Sequence, residues 1–210
     1  GKSLEKNKWA LQIVNLRDFG IGAHKKVDDT PAGGGAGLVL RADVIEPALE
    51  KSILSSGKER PLVYMSPRGK RFDQTLAKKW AAAPGVIILC GRFEGIDERI
   101  LEHYDIEEIS LGDFVMTGGE IAAQAMIDAT VRLLPTILGN PDSPLDESHS
   151  SGLLEYPQYT KPAEWKGQKT PETLLSGHHE NIAKWRMDQA KTKTKKHRPD
   201  LWKAWNKTKN

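Results

Sequence analysis

The run Ser110-Leu111-Gly112-Asp113-Phe114-Val115-Met116-Thr117-Gly118-Gly119-Glu120 constrains this chain most. A short apolar strand, 106–111, ends in a turn with glycines at 112, 118 and 119, and an amphipathic helix starts at once. Glycines there let backbone amides and carbonyls approach a ligand that a Cβ would obstruct. Two earlier strands end in the same manner. Leu62–Met65 runs into Ser66-Pro67-Arg68-Gly69, and residues 86–90 run into Gly91-Arg92-Phe93-Glu94-Gly95. Loops at the carboxyl ends of neighbouring strands converge on one crevice, where open α/β sheets take small molecules.

Periodicity supports that architecture. Strands are expected at 11–17, 37–41, 61–65, 85–90 and 106–111. Helices are expected at 43–55, 73–83, 97–104 and 119–134, with Asp43, Asp73 and Asp97 as their N-caps. The stretch between the first two strands, Asp28-Asp29-Thr30-Pro31 with Gly33-Gly34-Gly35, reads as a polar loop. Short strands alternating with helices mean a parallel α/β sheet. Pro135 stops the last of these helices, and 139–169 lacks periodic structure. Beyond it come a short helix opened by Pro171 and ended by Gly177, then helices at 179–195 and 199–207.

Charge divides the chain. Residues 184–210 hold ten Lys/Arg against Asp188 and Asp200, a net of +8, and the remainder carries −5. A basic tail on an acidic body suits a polyanionic partner, although a solvated helix end has the same composition. Trp185, Trp202 and Trp205 among the bases can pack the tail down or stack on RNA bases. Cys90, the single cysteine, closes an apolar run as a core thiol and fits a reducing, cytoplasmic setting. No apolar run approaches the roughly 20 residues of a membrane span.

Several motifs are excluded by their context. Gly33-Gly34-Gly35-Ala36-Gly37 lacks a following Lys-Ser/Thr and does not match Gly-x-Gly-x-x-Gly, which argues against a nucleotide P-loop or a nicotinamide oxidoreductase. His178-His179 point to different helix faces and have no cysteine pair nearby, so no metal site is expected. Glu94 can pair with a cationic ligand such as an amine or a sulfonium, or be a surface turn acid. Arg92 can meet an anion or a nucleobase, and Asp113 can cap a turn or contact the ligand. Arg132, near the departure of the long loop, and Asp146-Glu147-Ser148 on that loop offer a guanidinium and carboxylates. Such a pair suits stabilisation of developing negative charge and removal of a proton, or a plain surface ion pair.

Taken together, these segments resemble the bacterial tRNA (guanine-N1)-methyltransferases of the knotted methyltransferase superfamily. The likeness runs through 14–19, 27–37, 64–67, 90–99, 111–120, 152–160 and 174–179. It implies an α/β fold whose parallel sheet ends in a trefoil knot, followed by a small all-α domain. The implied division is a knotted domain at 1–139, an active-site loop at 140–169 and a basic tRNA-binding domain at 170–210. It further implies a homodimer with each active site at the subunit interface. S-adenosylmethionine would be held by Tyr64, Met65, Ser66, Pro67, Gly91, Arg92, Glu94, Gly95, Leu111, Gly112, Asp113, Phe114, Val115, Met116, Gly118 and Gly119. Mg²⁺ is allowed as an aid to deprotonation. The substrate would be the guanosine directly 3′ of the anticodon in tRNA, with Arg132 and Glu147 as the catalytic pair. Two departures stand out. The family's further initial strand, with its Phe-Pro-Glu type motif, has no counterpart here, and Glu147 stands where the family commonly has Asp. The basic tail alone would also suit a non-catalytic RNA-binding module.

Overall fold

The computed structural model describes residues 2–56, 59–135, 137–138, 147–149 and 151–208. The chain divides into two units, Gly1–Gly139 and Asn140–Asn210. The first begins with α1 (Lys2–Glu5), a 3-10 turn (Leu16–Phe19), β1 (Asp28–Asp29), β2 (Val39–Leu40) and α2 (Ala42–Ser56). It continues with β3 (Leu62–Arg71), α3 (Gln74–Ala82), β4 (Ile87–Cys90), α4 (Glu98–Tyr104), β5 (Glu107–Ser110) and α5 (Glu120–Val131). The second holds β6 (Glu164–Trp165), β7 (Gln168–Lys169), α6 (Glu172–Leu175), α7 (His179–His197) and α8 (Pro199–Lys207).

The central sheet is parallel, in the order β4-β3-β5. Parallel neighbours need long crossovers, and α3 and α4 supply them. Side chains of β3 alternate between two cores, as a period of two requires. Tyr64 joins Val44, Ile45, Leu49, Ile100 and Leu101 under α2 and α4. Val63 and Met65 join Leu76, Trp80, Ile109 and Met126 under α3 and α5. Helix entries follow local chemistry: the Asp73 carboxylate accepts from the Leu76 amide at 2.9 Å and that of Asp97 from the Arg99 amide at 3.1 Å.

Several expectations are corrected. The segment 11–17 forms no strand among the described residues. Its apolar Leu11 and Ile13 stay exposed, and the chain turns into the 3-10 helix, with the Asn15 side chain accepting from the Arg17 amide. Asp28 and Asp29, expected in a loop, form β1 and pair antiparallel with β2. Lys26 and Arg41 make this tolerable, reaching Asp29 at 2.9 and 3.1 Å, and Arg41 also reaches Asp43 at 2.7 Å. Asp43 therefore lies inside the first turn of α2, engaged by Arg41. Helix α5 ends at Val131, and Arg132 is its C-cap, its amide donating to the Asp128 carbonyl at 3.2 Å.

In the second unit, the Leu154 amide donates to the buried Thr194 hydroxyl at 2.8 Å, which itself donates to the Ala190 carbonyl at 2.7 Å. This fastens the chain after the long loop onto α7. Trp202 and Trp205 stack at 5.5 Å, so part of the aromatic content of the tail packs within α8. Residues 164–169, read as aperiodic, form a two-residue-turn hairpin. Among the described residues no helix is long and apolar enough to cross a membrane.

Candidate ligand crevice and catalytic pair

The three strand-end loops meet as their glycines suggest. Contrary to expectation, β3 does not end at Met65 but runs through 66–69 to Arg71, and 66–69 form an irregularity within it, where the pairing with β5 jumps from Met65 to Lys70 opposite the same Ile109. The segment 112–119 returns across the sheet end, where the Gly119 amide donates to the Gly91 carbonyl at 2.9 Å and Arg92 bridges to Gly118. A Cβ on Gly119 would stand 2.9 Å from the Met65 Cβ and 3.1 Å from the Cys90 Cα; one on Gly91 would stand 2.6 Å from the Tyr64 hydroxyl. Only glycine permits this approach. Between the loops lies a crevice of about 290 Å³, near the lower end of ligand pockets, about 300–1,000 Å³.

Every residue expected to hold the cofactor lines this crevice except Asp113. Asp113 is exposed and pairs with Arg71 at 2.6 Å. Glu94 is the one carboxylate of the lining; its amide donates to the Leu38 carbonyl at 3.0 Å, and its side chain occupies the space a Cβ on Gly37 would need. Arg92 directs Nε and Nη2 to the same Glu120 oxygen, at 2.9 and 2.8 Å. Phe93 adopts φ +58°, a left-handed conformation that costs a non-glycine residue about 1–3 kcal/mol and tends to occur at ligand sites. The Ser110 hydroxyl closes the 110–112 turn, donating to the Gly112 carbonyl at 2.9 Å and accepting from its amide at 3.2 Å.

Burial raises the Tyr64 phenol above its ordinary pKa. Burial first, and the Glu120 charge second, push the Cys90 thiol up to about 11, which keeps it protonated and unreactive at neutral pH. Sequence reasoning missed Arg68, Phe93, Ile96, Ile109, Ser110, Thr117 and Ala122 in the lining, and it missed Glu120. Arg68 was visible inside the Ser-Pro-Arg-Gly turn, and it is anchored by Glu98 at 3.2 Å and Glu108 at 3.1 Å. Nothing in the sequence pattern pointed from Arg92 to Glu120, 28 positions away.

Arg132 is half-buried at the end of α5 in the first unit, and Glu147 half-buried in the second. The backbone beside Glu147 is held locally. The Ser148 hydroxyl accepts from the Glu155 amide at 2.9 Å, and the His149 amide donates to the Leu153 carbonyl at 2.9 Å. Asp146 lies outside the described residues.

Helices on both faces of a parallel sheet, with a glycine-lined crevice at the carboxyl strand ends, are the anatomy of the ligand-binding α/β proteins. The family described as tRNA (Guanine-1)-methyltransferase TrmD matches residues 1–204. A tRNA (guanine-N(1)-)-methyltransferase of Ruegeria sp. (strain TM1040) is 60% identical over 205 residues, 98% of this chain and 84% of that protein. One from Ruegeria pomeroyi is 59% identical over 210 residues, 100% of this chain and 86% of its own length. One from Gluconobacter oxydans is 53% identical over 205 residues, covering 98% and 87%. The chain belongs to the tRNA (guanine-1)-methyltransferase family.

Proposed function

We propose that this chain transfers a methyl group from S-adenosylmethionine to N1 of the guanosine directly 3′ of the anticodon in tRNA. The observation that carries the reading is the crevice itself, built from the three glycine-rich loops of a chain that belongs to this family. Its residues suit the cofactor. Side chains are missing at Gly91 and Gly119, where a Cβ would strike the sheet ends, backbone from 111 to 116 is available for polar contacts, and Glu94 supplies one negative charge. Bound there, the cofactor would supply an electrophilic methyl on a sulfonium, whose positive charge Glu94 offsets.

Guanine N1 carries a proton and a delocalised lone pair, so it becomes a competent nucleophile only when deprotonated. Glu147 takes that proton and Arg132 stabilises the negative charge that builds on O6. Glutamate at 147 reaches one methylene further than the family's common aspartate and keeps the same acid–base chemistry. Among the described residues no three His, Cys, Asp or Glu gather to hold a metal; the reading still allows Mg²⁺ as an aid to deprotonation.

The crossing of 112–119 against Met65, Cys90 and Gly91 suits a trefoil knot in the domain at 1–139, and the division of the chain after Gly139 suits an active-site loop at 140–169 followed by a tRNA-binding domain at 170–210. Val115 and Ile121, 82% and 67% exposed, suit burial against a second copy, in keeping with the homodimer, site at its interface, that the resemblance implies. The setting is the cytoplasm, in keeping with one cysteine. Glu147→Gln keeps the volume but cannot accept the proton. Single-turnover methylation should fall about 10²–10⁴-fold, with cofactor and tRNA affinities little changed, and Glu147→Asp should retain appreciable activity. A Glu147→Gln rate near wild type, with Asp146→Asn crippled, would move the base by one residue. Absence of cofactor binding in the wild-type chain would instead favour a non-catalytic RNA module.

A further inference from the structure

The β6–β7 hairpin is exposed at every residue from 161 to 169 and is closed by its own bonds. Glu164 pairs with Lys169 and Trp165 with Gln168, and the Thr170 amide donates to the Ala163 carbonyl at 2.8 Å. Lys166 and Gly167 form the turn at φ +50° and +76°, the geometry of the tight turn that matches strand twist. This frame holds the Trp165 indole 59% exposed, with the Lys166 ammonium 5.0 Å from the ring centroid. Lys161, Lys166 and Lys169 against Glu164, which pairs with Lys169 across the hairpin, leave residues 161–169 at +2.

The exposed indole, held beside an ammonium at a turn, offers a flat face for stacking. A protein partner would need a contiguous apolar patch of a few hundred Å², and 161–169 offers only Pro162 and Ala163 besides the indole. An exposed indole with an ammonium against its ring, on a segment of net positive charge, matches a nucleic-acid strand instead, because every base has a face to stack and every linkage a phosphate. We propose that this hairpin is an RNA contact in its own right, separate from the basic helices α7 and α8. Trp165 stacks on an unpaired base, and Lys161, Lys166 and Lys169 meet the flanking phosphates. The proposal rests on the tRNA reading above.

The test is binding of a full-length tRNA transcript, at several salt concentrations, to wild type and to Trp165→Ala, Trp165→Phe and Lys166→Ala/Lys169→Ala. Removing one stacking partner should weaken binding roughly 5- to 150-fold in Trp165→Ala. Trp165→Phe should recover most of it, and the salt slope should stay unchanged in both. The double lysine variant should instead lower the log–log salt slope by about 0.7–0.9 for each phosphate it no longer neutralises. Cofactor affinity and circular dichroism, which the exposed hairpin should not affect, verify that each variant is folded. Wild-type RNA affinity in a folded Trp165→Ala variant overturns this proposal and leaves the tRNA reading standing. A wild-type chain that binds no tRNA overturns both.

Discussion

Replacing Gly119 with alanine tests whether the 112–119 segment lies on the ends of the sheet. Gly119 has φ −79°, which alanine adopts freely, so the entropy of the unfolded chain alone predicts stabilisation by about 0.4–1 kcal/mol. The surroundings reverse that sign. The new Cβ would stand 2.9 Å from the Met65 Cβ, 3.1 Å from the Cys90 Cα and 3.3 Å from the Gly91 nitrogen, against about 3.5–4.0 Å for a relaxed carbon contact. None of these atoms ends a flexible side chain; all belong to β3, β4 or its exit. Overpacking of this kind costs about 1–3 kcal/mol, so a net loss of about 1–2 kcal/mol is expected. For a chain of this length that lowers Tm by about 2–8 °C. The hydrogen bond from Gly119 to Gly91 stretches as the loop lifts, so cofactor affinity by calorimetry should fall as well. An unchanged or higher Tm together with unchanged cofactor affinity would refute the close approach of this loop to the strands.

Two further outcomes follow from the charges and the buried thiol. Neutralising Lys193, Lys195 and Lys196, exposed on α7 around the buried Thr194, should weaken tRNA binding and reduce its log–log salt slope by about 0.7–0.9 for each phosphate left without its lysine; calorimetry should find cofactor affinity unmoved. A thiol ionises near pH 8.5 in an unfolded chain and at about 11 in the folded Cys90, so its burial contributes fully below pH 8.5 and the contribution is lost as pH rises towards 11. Denaturation midpoints of wild type and Cys90→Ala should therefore converge over that window, and parallel curves would contradict the assignment.

What was legible in the sequence was mostly local. Asp73 and Asp97 cap α3 and α4 as their positions implied, and the apolar runs of β3, β4 and β5 pair in a parallel sheet. The crevice was legible because glycine-rich turns follow β4 and β5, whose ends share one edge of the sheet; that the third segment, 66–69, is an irregularity inside β3 and not a turn after it was not legible. Long-range compensation was not legible. Asp28 and Asp29 have poor strand propensity, and Asp29 is compensated by Lys26 three residues before it and by Arg41 12 residues beyond it. The alternating Leu11 and Ile13 looked like a strand, but pattern alone does not supply a neighbour. The β6–β7 hairpin was invisible because two-residue strands carry no period, although Lys166-Gly167 is a permissible tight turn. Asp113 read equally well as a cap or a ligand contact, and the deciding partner, Arg71, lies 42 positions earlier.

The most direct measurement is methyl transfer from labelled S-adenosylmethionine to two tRNA transcripts that differ only in the base directly 3′ of the anticodon. With guanosine there, label should be incorporated and recovered as 1-methylguanosine after digestion to nucleosides; with another base there, none should be. Equal labelling of both transcripts, or no labelling of the guanosine transcript by a chain that binds both tRNA and cofactor, would contradict the proposed methyl transfer.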